Sequence, residues 1–302
     1  MKQKTLKEVK KYGFVLSVMA YPAILFCIFY IFVNINSIAM AFGKIDANGH
    51  KTFNGFNNFA AFIDAVKNDV IVSTSIINSV KIFFINLVIC VPLYLIFSYY
   101  IFKKFFGTAL FRSLIMIPTI VSSFIVCMLF KKFVELALPN IMLGLGVKGF
   151  PNLLRDPRYT FGTIIFYMIW ISFSTSLVVY PNAMREIPTS VIESAQLDGV
   201  NYIQEFRYIV VPLIYPTIST FLITGVSAIF SNSGPVLAFY MYDAYPEVYN
   251  FGYYILVKVM NSNETMYPML SAGGILITLL IAPITYLVRY LLEKFGPEAE
   301  YC

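Results

Sequence analysis

Six continuous apolar runs constrain this chain more than any other feature. They lie at about 13–41, 75–102, 108–130, 161–183, 213–232 and 269–291. A helix of ~20 apolar residues matches the ~30 Å hydrocarbon core of a bilayer. The runs are continuous rather than alternating, so spanning helices are predicted and a membrane barrel is not. Composition agrees: 59% of the residues are hydrophobic and 13% charged, where a soluble domain carries about 25% charge. Mean hydropathy is +0.74. The predicted fold class is therefore an all-α integral membrane protein with six transmembrane helices. Residues 1–12 form an N-terminal segment, 13–41 the first helix, 75–291 a five-helix core and 292–302 a tail.

The opening residues resemble a secretory signal, but their apolar stretch is too long and lacks a small-residue cleavage site. It reads as a retained first span. The formal charge of +6 comes from basic residues beside apolar runs, which fits membrane flanks better than nucleic acid. Lys and Arg divide 12 to 9 between the two sides, with Lys81 left over. The first segment, with five lysines against one glutamate, sets both termini on the cytoplasmic side. The intervening loops 42–74, 131–160 and 233–268 are then external. The last carries the tyrosine-rich "AFYMYDAYPEVYNFGYYI", open to two readings: an interfacial aromatic belt or a wall that stacks on a ligand.

Several chemistries are absent. No G-x-x-x-x-G-K-[ST] loop occurs, so ATP is not bound by that device. His50 is the single histidine, and Cys27, Cys90, Cys127 and Cys302 form no C-x-x-C pair. No metal set, cofactor site or catalytic triad follows, and no enzyme activity is expected. None of the acidic residues lies inside an apolar run, where an ion-coupled carrier commonly places carboxylates. Lys81, beside "IINSV", is expected to snorkel to the interface. Energy, if any is used, must enter from outside the chain.

One polar stretch stands between the fourth and fifth runs: "SVIESAQLDGVNYIQEFRYIVVP", residues 190–212. It reads as two short helices. Ser190 and Glu193 have capping-box spacing, Gly199 sits where a left-handed residue ends a helix, and Val191, Ile192 and Ala195 share a face. Asn201 and Gln204 form a second box. Tyr202, Ile203, Phe206, Ile209 and Val210 follow an apolar stripe, with Gln204, Glu205 and Arg207 opposite. Pro212 leads into the fifth run. Such a pair of helices could merely join two spans.

The order Glu193-Ser194-Ala195, Asp198-Gly199, Phe206, Ile209 and Pro212 resembles the EAA signature of bacterial ABC importer permeases. Ser194 and Val200 depart from it. "FRSLIMIPTIVSSFIVCMLFKKFV" is similar to the family's third span, "LPNIMLGLGVKGFPNLLRDPRYT" to the loop after it, and "INSV" to the start of its second span. The similarity runs from about 75 to the C-terminus and is strongest to the sugar and glycerol-phosphate branch. It implies the type I importer permease (MetI-like) fold in a bacterial cell membrane, with coupling helices at 188–211. Glu193, Ser194, Ala195, Asp198 and Gly199 would dock on a cytoplasmic ATPase. The implied partners are a second homologous permease, giving a heterodimer, two ATPase subunits and an extracellular solute-binding lipoprotein. The implied substrate is a sugar, an oligosaccharide above all, and the ATP hydrolysis is the partners' own. Tyr167, Trp170, Asn232 and Tyr240 are the substrate-path candidates, since rings stack on sugar faces and amides bond hydroxyls; Trp170 also suits helix packing. The alternatives are a passive channel or secondary carrier, a structural subunit of a membrane enzyme complex, or an ABC permease for glycerol phosphate.

Overall fold

The computed structural model describes residues 2–46 and 49–297. Cys302 and the end of the predicted tail lie outside them. Among the described residues, four helices are long and apolar enough to cross a membrane, and two bent helix pairs raise the number to six. The first four of these elements in chain order are α1 (residues 2–41), α3 (Val70–Phe102), α4 (Thr108–Ile120) and α5 (Ser123–Gly144). They are followed by α6 (Pro157–Arg185), α8 (Tyr202–Leu213), α9 (Tyr215–Ser227) and the last helix, α12 (267–295). Helices dominate because each backbone donor within a span must find its acceptor in the same segment.

Three spans differ from the sequence-based expectation. The third run is split at Val121, whose backbone is extended, and α5 continues to Gly144 through what was expected to be loop. The fifth is short: α9 has 13 residues, about 20 Å of rise, and meets α8 at a bend of 67°. The second span starts at Val70 rather than 75, where the Asp69 carboxylate accepts the Ile71 amide and caps the helix.

Beside a π-turn at Phe26–Phe32 in α1, three π-turns share one sequence setting: Asn86–Cys90 in α3, Phe133–Ala137 in α5 and Phe206–Val210 in α8. Each ends two residues before a proline: Pro92, Pro139 and Pro212. A proline offers no amide hydrogen and its ring crowds the carbonyl four residues back. The helix answers by opening one turn. Val91, Leu138 and Val211 donate to Asn86, Phe133 and Phe206, five residues back. Each insertion rotates the following residues by about 100° around the helix.

The chain divides into two compact units. The first comprises residues 1–65 and 262–277. In it, β1 (Gly43–Ile45) pairs antiparallel with β2 (Lys51–Phe53), and α2 (Asn57–Asn68) follows. Hydropathy alone reads this region as loop. The Asn58 amide donates to the carbonyls of Ala41 and Gly43, at 2.8 and 2.6 Å. His50 is exposed beside this hairpin.

The second unit comprises 66–261 and 278–302 and holds two apolar clusters. One joins α5 and α6 to α10 (Val236–Tyr240) and α11 (Phe251–Asn261) through Cys127, Ile164, Tyr167, Phe239 and Tyr253. The other joins α3, α6, α8 and α9 through Tyr94, Tyr99, Tyr180, Met184, Val210 and Ile218. The tyrosine-rich segment is therefore partly core, although Tyr242 and Tyr245 stay exposed. Tyr253 and Tyr254 are fully buried, and the Tyr253 hydroxyl donates to the Met241 carbonyl at 3.0 Å. Burial pushes that phenol up to about 12, so it stays a donor. The Asn78 amide fixes the segment to α3 by donating to the carbonyls of Glu247 and Tyr249.

Candidate coupling segment and membrane cavity

The polar stretch folds as α7 (Thr189–Leu197) followed by α8. Pro188 stands at the N-cap of α7, with no side-chain cap. The helix thus begins earlier than the spacing suggests. Ser190 falls inside the first turn, and the expected Ser190–Glu193 box does not form. The other end matches the expectation. Gly199 has φ +78°, Val200 N–H donates to the Ala195 carbonyl, and Gly199 N–H to that of Gln196, both at 3.1 Å. This pair of bonds is a Schellman closure. Asn201 and Gln204 then form a complete capping box, with reciprocal bonds of 2.9 and 3.0 Å.

The two helices face different ways. In α7 and the turn that closes it, Glu193, Ser194, Asp198 and Gly199 are exposed, while Ala195 is buried against this chain. Ile192 packs on the cluster around Tyr94 and Met184. Leu197 is 89% exposed, and Ile203 at the start of α8 is 78% exposed. In α8, the expected stripe does not hold. Tyr202 and Ile203 point out, Val210 is buried, and Glu205, expected on the polar face, is 1% exposed. The π-turn at Phe206–Val210 shifts the phase midway, so residues before and after it cannot share a face.

Glu205 is held by two partners that no motif announces. The Lys103 ammonium lies 2.7 Å from Oε1, and the Tyr99 hydroxyl donates to Oε1 at 3.0 Å. Lys103 also sits over the Tyr202 ring, 5.5 Å from its centroid. Nothing local signals this contact, because it joins residues 102 positions apart.

A cavity of about 650 Å³ opens between α3, α5, α6 and the segment before α10. Its polar lining is Asn86, Ser123, Ser172, Thr175, Ser176 and Asn232, set among aliphatic side chains and Tyr167. No Asp, Glu, Lys, Arg or His lines it among the described residues. Asn86 opens the π-turn of α3, and Ser172, Thr175 and Ser176 share one helical face by spacing. Asn232 accepts the Gly234 amide on Oδ1 at 2.7 Å, which keeps its NH₂ as a donor. Gly252 packs so close that a Cβ would lie 2.7 Å from the Asn232 backbone.

Of the four substrate-path candidates, Tyr167 and Asn232 meet in this cavity. Trp170 and Tyr240 do not. Trp170 lines a separate apolar concavity with Phe130, Phe133 and Phe166, because its place along α6 turns it away from Ser172. Tyr240 packs in the core beside Phe239, and its hydroxyl donates to the Leu154 carbonyl at 2.6 Å. The serines and Asn86 are legible in the sequence as polar residues inside apolar runs, yet no motif singles them out.

Comparison with known proteins accords with this geometry. The multiple sugar-binding transport system permease protein MsmF of Streptococcus mutans is 25% identical over 126 residues, covering 41% of this chain and 43% of that protein. The lactose transport system permease protein LacF of Rhizobium radiobacter is 28% identical over 188 residues, covering 61% and 59%. The arabinooligosaccharides transport system permease protein AraP of Bacillus subtilis is 23% identical over 196 residues, covering 63% and 60%. These matches span less than two thirds of the relatives' own length. A chain from the crystal structure of a bacterial ABC transporter involved in import of the acidic polysaccharide alginate superposes with a TM-score of 0.78 at 20% identity. It covers 96% of this chain and 99% of that one, and so shares the fold. The profile of the binding-protein-dependent transport system inner membrane components matches residues 76–297, and the chain belongs to that family.

Proposed function

We propose that the chain is one permease half of an ATP-driven importer, coupled to a separate ATPase through α7 and carrying an uncharged oligosaccharide through the α3–α5–α6 cavity. The observation that carries this reading is the construction of α7. It is a nine-residue helix closed by a Schellman turn and seated on the core by Ala195 and Ile192. It presents Glu193, Ser194, Leu197, Asp198 and Gly199 outward. A short, firmly mounted helix can pass a displacement to the spans beside it, where a loose linker would absorb it. Leu197, Ile203 and Phe106, the last fully exposed, add apolar surface outside the membrane runs, which a docked partner would cover.

The substrate class follows from the cavity. Hydroxyls, two amides and one phenol suit sugar hydroxyls, and a lining without cations offers nothing to balance a uronate or a phosphate. A lining without carboxylates gives no support to an ion-coupled carrier. The remaining parts would be a second homologous permease, two cytoplasmic ATPase subunits and an extracellular binding protein, the last supported by the family's description as binding-protein-dependent. Both termini would then be cytoplasmic.

Gly199→Trp tests the coupling reading. A Cβ there meets open space, so the variant keeps the internal packing and loads only the turn and the outward face. Membrane insertion is expected to persist while uptake of a radiolabelled neutral oligosaccharide, chosen from a panel bound by the cognate binding protein, falls at least tenfold. Unchanged uptake would overturn the assignment.

A further inference from the structure

We infer that Lys103, Glu205 and Tyr99 form a strut that makes α8 and the end of α3 move as one body, so that displacement of α7 reaches the cavity through α3. The inference rests on the importer reading above. Lys103 and Glu205 are positioning residues in it, touching neither substrate nor nucleotide.

The geometry has three parts. First, α7 and α8 are separated by four residues, 198–201. The Schellman bonds close one side of this gap and the Asn201–Gln204 box closes the other. A movement of α7 therefore has little slack to lose before α8. Second, α8 is pinned to α3 by charge. Glu205 has a side chain 2% exposed and Lys103 one 10% exposed. The carboxylate accepts from both the ammonium and the Tyr99 hydroxyl. The Tyr99 ring packs on Phe206 at 5.1 Å, and Lys103 lies over the rings of Tyr99 and Tyr202. Lys103 is also the C-cap of α3, where a helix favours a cation. Third, α3 continues from Lys103 to Asn86 and Cys90 at the cavity, about 25 Å along the helix axis.

The choice of a charged contact matters. Apolar helix faces can slide past each other in small steps. A buried ion pair with its remaining lone pairs occupied has one good arrangement, because leaving either charge alone in an apolar site is costly. It therefore fixes register between α8 and α3.

The test uses the complete complex with its partner chains in proteoliposomes. The four native cysteines are changed to alanine and Thr175→Cys is introduced as a cavity reporter. Labelling by a water-soluble maleimide is measured without nucleotide and with a non-hydrolysable ATP analogue. The chain with native Lys103 and Glu205 should change its labelling rate at least tenfold between the two states. Glu205→Gln should assemble and bind the analogue, yet change less than threefold. The exchange Lys103→Glu with Glu205→Lys should recover most of the response. The pair Lys103→Met with Glu205→Met, which packs without stranding a charge, should assemble fully and still respond less than threefold.

A full response in the Met pair or in Glu205→Gln would overturn the strut while the importer reading stands. Should Glu205→Gln fail to assemble, the Met pair alone decides whether the strut exists. No response in the chain with both native residues would instead overturn the importer reading itself.

Discussion

The two halves of the polar stretch are built for opposite duties. The first helix, α7, ends on a glycine and touches its own chain through few side chains, chiefly Ile192 and Ala195. Its acidic and apolar tips point away. The second helix, α8, turns its one buried acidic side chain inward, onto Lys103 and Tyr99, and meets the fifth span at a bend. A capped helix with an open face is a surface; a capped helix with a buried charge is an anchor. The difference shows why such a segment needs both, since a docking face transmits force only when its other end is fixed.

The anchor should carry the larger energy. Glu205→Ala strands the Lys103 ammonium in a site 10% exposed, and breaking a buried pair from one side costs about 3–5 kcal/mol. Thermal unfolding in detergent should show this as the largest loss among the variants of the stretch. A loss below about 1 kcal/mol would mean that water reaches Lys103, and the contrast between the two helices would weaken. Gly199→Ala comes next. A side chain at φ +78° costs about 1–2 kcal/mol in the left-handed region, with no clash to add. Asn201→Ala follows at about 1 kcal/mol, the usual value of an N-cap. Restoration by Asn201→Asp would assign that loss to the cap itself.

How much of this is legible in the sequence follows the range of the forces. The stop at Gly199 and the box at Asn201 are readable because both are local: the bonds close within a single turn. The start of α7 is not, because Pro188 already turns the chain and leaves Ser190 inside the helix. The stripe in α8 fails for a reason that the sequence does contain. Pro212 forces the π-turn, and the turn shifts the apolar phase. The split third run and the short fifth span fail in the same manner, since hydropathy counts residues and not bends. The cavity is half legible. Residue type finds Tyr167 and Asn232, but type alone also admits Trp170 and Tyr240, which turn elsewhere. The Lys103–Glu205 pair is out of reach, because only the packed fold brings the end of α3 to α8.

The smallest stability effect should accompany a large functional one. Leu197 is 89% exposed and packs on nothing that holds α7 in place. Leu197→Ser should leave the unfolding temperature of the isolated chain unchanged, because surface substitutions of this kind stay within about 0.5 kcal/mol. Its effect should appear only when the complex assembles. If Leu197 is a central apolar contact of the docked ATPase, truncation removes a contact worth about 1–2 kcal/mol, or roughly a five- to thirtyfold loss of affinity. Titrating the ATPase onto the reconstituted permease pair measures this directly. Glu205→Gln in the same titration should leave affinity within twofold, since its carboxylate does not reach the surface. Reversed results, with Leu197 silent and Glu205 weakening the dock, would exchange the two roles and make α8 the face and α7 the tether.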